Sequence, residues 1–239
     1  MDVPVSAPGS RRIRPLAALR AIRALIRNPD DTARVFDVIQ ALSGTTGERL
    51  FTRFRASDTG RRLLDERPAL LARLSDREAL LALPRGTLGH SYAEFMRREQ
   101  ISADGLVEAS EHTRDALPPE RRWFADRLRD MHDLWHVVTG YERDLLGEAS
   151  LLAFTYAQTR NPGIGAIVAT AWWRAGRVNP EARRLLRDGY RRGRDAAWLP
   201  GQPWEELLAL PLEEVRERLG VGAPPVYEQL RSEGAPALA

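Results

Sequence analysis

Apolar residues recur along this chain at intervals of three and four, and that spacing predicts helices. "RPLAALRAIRALIRN" places Leu19, Ile22, Leu25 and Ile26 on one face and Arg20, Arg23 and Arg27 on another. "DDTARVFDVIQALSG" follows, with Val35, Ile39 and Leu42 at helical spacing and Gly44 as a stop. Shorter helices are expected over 61–74 and 76–83, and "TLGHSYAEFMRREQ" gives another, capped by Thr87. Residues 101–117 have no period and read as a loop. Pro118-Pro119 opens a helix running to about Thr139, and further helices are expected over 148–159, 162–175 and 180–197. Two Asn-Pro pairs mark the turns between them. "PLEEVRERLGV" is a late helix stopped by Gly220, and the tail over 233–239 reads as disordered. No segment alternates as a strand does. The expected fold is all-α, one helical bundle over 1–239.

A second pattern lies on the helix after Pro118-Pro119. Phe124, Leu128, Met131, Trp135 and Val138 form its apolar stripe, and His132 and His136 fall beside that stripe. Residues four apart on a helix lie one above the other. The two imidazoles therefore share a face, as one divalent ion requires. Asp133 borders the same face. Glu148 comes sixteen residues after His132. On an unbroken helix it would point roughly 160° away, at about 100° per residue. Gly140 and Gly147 lie in that interval, and glycine is the usual residue just past a helix end. A break there lets Glu148 open a returning helix. The expected site is a helix hairpin at the wall of the core, with His132 and His136 joined by Asp133, Glu148 or both. Arg122 and Arg129 lie further round the same side, which suits an amphiphilic ligand with an anionic end. Arg129 is the candidate for holding that end through paired hydrogen bonds. His90 and His112 lack such company and are expected to be structural.

Composition narrows the chemistry. There is no cysteine, so disulfides, thiolate metal sites and cysteine nucleophiles are excluded. All 36 basic residues are arginine, which removes Schiff-base lysine chemistry and the lysine of a Walker-type phosphate loop. The net charge of +3 comes with no nucleic-acid motif. The longest apolar run, "GIGAIVATAWW", is too short for a membrane span of about 20 residues and reads as a buried helix. Arg11, Arg12, Arg14, Arg20, Arg23 and Arg27 could instead hold the first helix on an anionic membrane surface.

Two metal chemistries come close. Metallopeptidases carry His-Glu-x-x-His with the glutamate as general base, and here Asp133 stands in its place, one methylene shorter. Metal phosphohydrolases of the His-Asp class need a further upstream histidine and a downstream aspartate. His90 or His112 could supply the first; nothing identifies the second.

The run His132-Asp133-x-x-His136, eleven residues and then Glu148, with Gly140 and Gly147 between, resembles the signature of the ubiquinone (coenzyme Q) biosynthesis family of the fourth Coq protein. "LPRGTLGHSYAEFM" is similar to that family's Gly-x-x-Gly segment, and "PWEELLALPLEEVRERLGV" to its closing helices. The resemblance implies an all-helical fold, a divalent metal (zinc, with iron as the alternative) and a pocket for a polyprenyl benzoate or quinone-type lipid. It implies replacement of the carboxylate at C1 of the prenylated precursor by a hydroxyl, with His132, Asp133, His136 and Glu148 on the metal and Glu148, Asp133 and Arg129 serving the reaction. It also implies association with other ubiquinone-biosynthesis enzymes at a membrane, the alternative role being a lipid-binding scaffold with a structural metal. A homo-oligomer is compatible with it. The expected location is cytoplasmic, peripheral to a bacterial inner membrane.

Overall fold

Several helices begin or end where the sequence supplies a cap. The computed structural model describes residues 13–28, 31–102, 117–178 and 180–230. The first helix, α1 (Pro15–Arg27), opens on a proline whose missing N–H would have gone unpaired there. Asp31 caps α2 (Thr32–Leu42) by accepting from the Arg34 amide, and Gly44 follows at φ 49°. Helices α3 (Thr46–Ala56) and α4 (Asp58–Glu66) meet at Ser57, whose hydroxyl accepts from the Gly60 amide. The sequence pattern left α3 unassigned. The helix expected over 61–74 is divided, because Arg67 is left-handed before Pro68 and the chain restarts as α5 (Leu70–Ser75). Asp76 caps α6 (Arg77–Ala82), and Thr87 caps α7 (Leu88–Arg98) as expected.

The helix expected from 118 to 139 is also two, α8 (Pro119–Asp130) and α9 (His132–Thr139). They part at Met131, which sits at φ −79°, ψ −4° with its side chain wholly buried. No glycine or proline marks the break; burial of Met131 overrides local propensity. Then come α10 (Leu145–Thr159), α11 (Pro162–Val178) and α12 (Pro180–Asp195). A 3₁₀ turn at Leu199–Gly201 leads to α13 (Trp204–Leu207) and α14 (Leu212–Leu219), the last closed by left-handed Gly220. Among the described residues there is no strand, only an isolated bridge between Thr87 and Pro211. The tail and His112 lie outside them, as does most of the expected loop over 101–117.

Among the described residues four apolar clusters hold the helices, the smallest setting Leu146 of α10 against Ala182 and Leu185 of α12. The largest joins Leu88, Tyr92 and Phe95 of α7 to Leu134, Trp135 and Val138 of α9, Leu151 and Phe154 of α10, and Trp204 and Val215 near the end. A second packs Leu50, Phe51 and Phe54 of α3 and Leu63 and Leu64 of α4 on Phe124 of α8. The third sets Ala21 of α1 and Val38 of α2 against Ile167 of α11. On α1 the buried positions are Ala18 and Ala21, small enough for close packing, and Leu19 is left exposed rather than buried as its spacing suggested.

Two contacts fix α10, the helix that carries Glu148. A Cβ on Gly189 would lie 2.4 Å from the Ser150 carbonyl oxygen, and one on Gly193 would lie 2.5 Å from that of Phe154. These two glycines let α12 approach the α10 backbone directly. Gln158, buried, donates to the Gly193 and Ala197 carbonyls and accepts from the Leu199 amide. Gly189→Ala meets backbone rather than a yielding side chain. It should cost about 1–3 kcal/mol and lower the melting temperature by several degrees, checked by calorimetry.

Candidate metal centre

The site is built on α9, a helix of eight residues whose carbonyl end is fully satisfied. The Gly140 amide donates to the His136 carbonyl. Arg216 donates to the carbonyls of Val137 (3.0 Å) and Val138 (3.1 Å), and Arg192 to that of Thr139 (2.8 Å). Two guanidinium groups thus hold the helix in place from behind and place positive charge at the negative end of its dipole.

His136 is buried, with its ring stacked on Phe95 at 5.6 Å between centroids. Its Nδ1 lies 2.7 Å from the Tyr141 carbonyl oxygen. A carbonyl can only accept, so Nδ1 carries the proton and Nε2 presents its lone pair. That Nε2 is buried and has no hydrogen-bond partner; the Glu148 carboxylate stands 3.5 Å away. The His132 ring lies edge-on to it, 5.0 Å between centroids. His132, Asp133 and His136 each offer a ligand atom, all within 4.8 Å of one another, so this group could hold a metal ion. A fixed tautomer with the free nitrogen aimed at two further donors is how metal-bound imidazoles are held.

Burial opposes charge throughout this cluster. At His132 burial wins, helped by neighbouring His136, and pushes the imidazole below its ordinary value. At His136 burial is outweighed by the Glu148 carboxylate, which raises it. At Glu148 burial is outweighed by His136, His132 and Arg143, which hold the carboxyl at about 2. Glu148 nonetheless keeps 35% of its side-chain surface exposed, so the site has an open edge there. Arg143 borders that edge, with its Nε 3.6 Å from the Glu148 carboxylate.

Glu148 arrives as the glycine spacing suggested. Gly140 ends α9 at φ 71°, and the chain returns as α10 with Glu148 in its first turn. Asp144 caps that turn, accepting from the Leu146 (3.0 Å) and Gly147 (3.3 Å) amides. The segment after α14 then crosses the loop. Tyr227 donates its hydroxyl to Asp144 (2.7 Å) and accepts from the Glu142 amide (3.0 Å). Burial and this bond to the Asp144 carboxylate push the phenol upward, so it stays protonated.

Of the residues singled out from sequence, His132, Asp133 and His136 come together, and Glu148 reaches the group beside His136. Arg129 bonds instead to Asp130 (2.7 Å) and approaches Asp126 at 3.4 Å. His90 bonds to the Leu81 carbonyl and lies 3.4 Å from Glu94. Sequence reasoning missed Arg143, Asp144, Arg192, Arg216 and Tyr227. Only Asp144 left a local signal, as a capping residue three positions before Gly147.

With this geometry the chain matches the family described as Coenzyme Q (ubiquinone) biosynthesis protein Coq4 over residues 11–225. The chain belongs to the Coq4 family. As a Coq4-family chain it is 31% identical to the mitochondrial ubiquinone biosynthesis protein coq4 of Talaromyces stipitatus, over 95% of this chain and 79% of that protein. It is also 31% identical to the mitochondrial COQ4 homolog of Aedes aegypti, over 86% of this chain and 74% of the other. A crystal structure from Nostoc punctiforme, provisionally described as a ubiquinone biosynthesis protein, superposes with a TM-score of 0.65 at 26% identity, covering 88% of this chain and 98% of that one. Coq4-family membership supports a role in ubiquinone biosynthesis, and the all-α fold agrees with the sequence expectation. Among the described residues no helix is long and apolar enough to cross a membrane.

Proposed function

We propose that this chain holds a divalent metal on His132, Asp133, His136 and Glu148 and acts at C1 of a prenylated benzoate precursor of ubiquinone, where a hydroxyl replaces the carboxylate. The observation that carries the reading is the buried, unpartnered Nε2 of His136 facing Glu148. An orphaned buried nitrogen is costly, and a cation beside two carboxylates removes the cost. Two imidazoles with carboxylates suit zinc or iron. Either ion, when bound, supplies a Lewis acid for oxygens on the ring.

The chain's own residues would orient the precursor. Arg143, at the open edge, is better placed than Arg129 to take the substrate carboxylate, because Asp130 and Asp126 already occupy Arg129. Replacing the carboxylate releases carbon dioxide and gives up two electrons, so an oxidant such as dioxygen must accept them. The precursor's prenyl tail would stay in an apolar environment, with the protein at a membrane surface. Exposed Ile13, Leu16 and Leu19, with Arg20, Arg23 and Arg27 nearby, make α1 the element for that contact. Other enzymes of the pathway would be met there, at the periphery of the inner membrane if the host is bacterial.

The second reading is a lipid-binding scaffold that organises those enzymes around a structural metal. The engagement of Arg129 by Asp130 and Asp126 favours it, since the expected carboxylate-binding residue is already paired. The two readings separate in a strain lacking its own copy of the gene. Glu148→Ala should accumulate a precursor that retains its C1 carboxylate. Normal quinone from a folded, abundant Glu148→Ala protein leaves the scaffold reading in its place.

The electrostatics give a further expectation. Because the Glu148 carboxylate raises His136 above its ordinary value, a proton and an incoming ion compete for the same Nε2 lone pair. Below that raised value the affinity should fall about tenfold per pH unit, and above it the affinity should level off. Calorimetry in buffers of different ionisation heat should find proton release per ion that grows towards one as the pH falls through the His136 transition.

A further inference from the structure

The described chain ends in an extended segment, residues 221–230, that lies over the loop joining the two helices of the site. We propose that this segment is a positioning strap, and that Tyr227 sets the Glu148 carboxylate through Asp144. The inference rests on the reading of Glu148 as a metal ligand.

The first turn of α10 presents four amides, of which the helix bond pattern itself satisfies only that of Glu148, through the Asp144 carbonyl. Leu146 and Gly147 donate to the Asp144 carboxylate, Glu148 donates to the Asp144 carbonyl (2.8 Å), and Leu145 donates to the carbonyl of Leu230 (2.9 Å). The strap thus supplies one acceptor outright. It also holds the residue that supplies the other three, because Asp144 takes the Tyr227 hydroxyl on one oxygen and the Leu230 amide (3.0 Å) on the other.

Gly140 at the end of α9 and Gly147 in the first turn of α10 make room for this arrangement. A Cβ on Gly147 would stand 2.5 Å from the Tyr227 hydroxyl and 2.0 Å from the Glu142 carbonyl oxygen. One on Gly140 would stand 2.6 Å from Pro224. Val221 anchors the strap in the main core and the Tyr227 ring packs on apolar neighbours, while Val226 is 91% exposed and Leu230 is 46% exposed. Its bonds to the loop and the start of α10 converge on Glu142, Asp144 and Leu145, within six residues of Glu148. Loosening them lets the first turn of α10 fray, and that turn carries Glu148 on its open edge.

Tyr227→Phe removes the hydroxyl and keeps the ring. Zinc affinity, measured by competition with a chromophoric chelator, should fall roughly 10- to 100-fold, the usual effect of losing an outer-shell partner. In a Glu148→Gln background the same change should cost nothing further, because the residue it positions no longer ligates. A variant ending after Glu228 loses the two Leu230 bonds and should weaken zinc binding in the same direction. Equal zinc affinity for Tyr227→Phe and the natural sequence overturns the inference. So does an equal loss in both backgrounds, which a merely stabilising role produces. A natural sequence that binds no zinc instead overturns the metal reading, and the inference with it.

Discussion

Arg127→Ala should destabilise the fold by about 3–5 kcal/mol, because it strands a largely buried carboxylate. Arg127 is buried on α8, and its guanidinium makes two bonds to Glu205 (2.5 and 2.8 Å) and a third to the Gln202 carbonyl (3.0 Å). Glu205 keeps only 12% of its side-chain surface exposed, so removing its partner leaves the charge with little access to water. The pair ties α8, next in sequence to the metal helix, to the short α13, where Trp204 is wholly buried. Replacing both partners with apolar residues of similar size, Arg127→Met with Glu205→Leu, should recover most of the loss. Urea unfolding of the two single variants and the double closes the cycle. A cost for Arg127→Ala below about 1 kcal/mol, the level of an exposed pair, would show that the pair does not hold these helices.

His136→Ala should lose metal binding by more than the roughly 100-fold upper range for an outer-shell partner. The helix around it should persist, since α9 is held by Arg192 and Arg216 from behind and not by the imidazole. His90→Gln is the control: that imidazole bonds to the Leu81 carbonyl on α6, and zinc affinity should be unchanged. Zinc titration of both variants and the natural sequence decides the matter. A His136→Ala protein that keeps full zinc affinity would falsify the assignment of this face as the metal site.

What sequence made legible was local. Thr87, Asp76 and Gly220 announce helix ends because a cap is a contact across a few residues. The hairpin of His132, His136 and Glu148 was readable for the same reason, from periodicity, from Gly140 ending α9 and from a carboxylate soon after, although the returning helix starts at Leu145, before Gly147. The rest depends on partners far along the chain. Arg127 and Glu205 are 78 residues apart, and Tyr227 and Asp144 are 83 apart. Nothing near either residue selects the other. Arg192 and Arg216 looked like ordinary helix arginines among 36, although they close the metal helix. The division at Met131 left no mark either, because core packing imposes it.

The bond from the Leu145 amide to the Leu230 carbonyl also sets an order of events during synthesis. Chains emerge from the ribosome at about 5–20 residues per second, amino end first. The two histidines and Glu148 are made before Leu230, which follows Glu148 by 82 residues. The turn that carries Glu148 cannot be completed until Leu230 has been translated and has reached Asp144. A chain cut short before Leu230 therefore offers at most an unfinished cage for the ion.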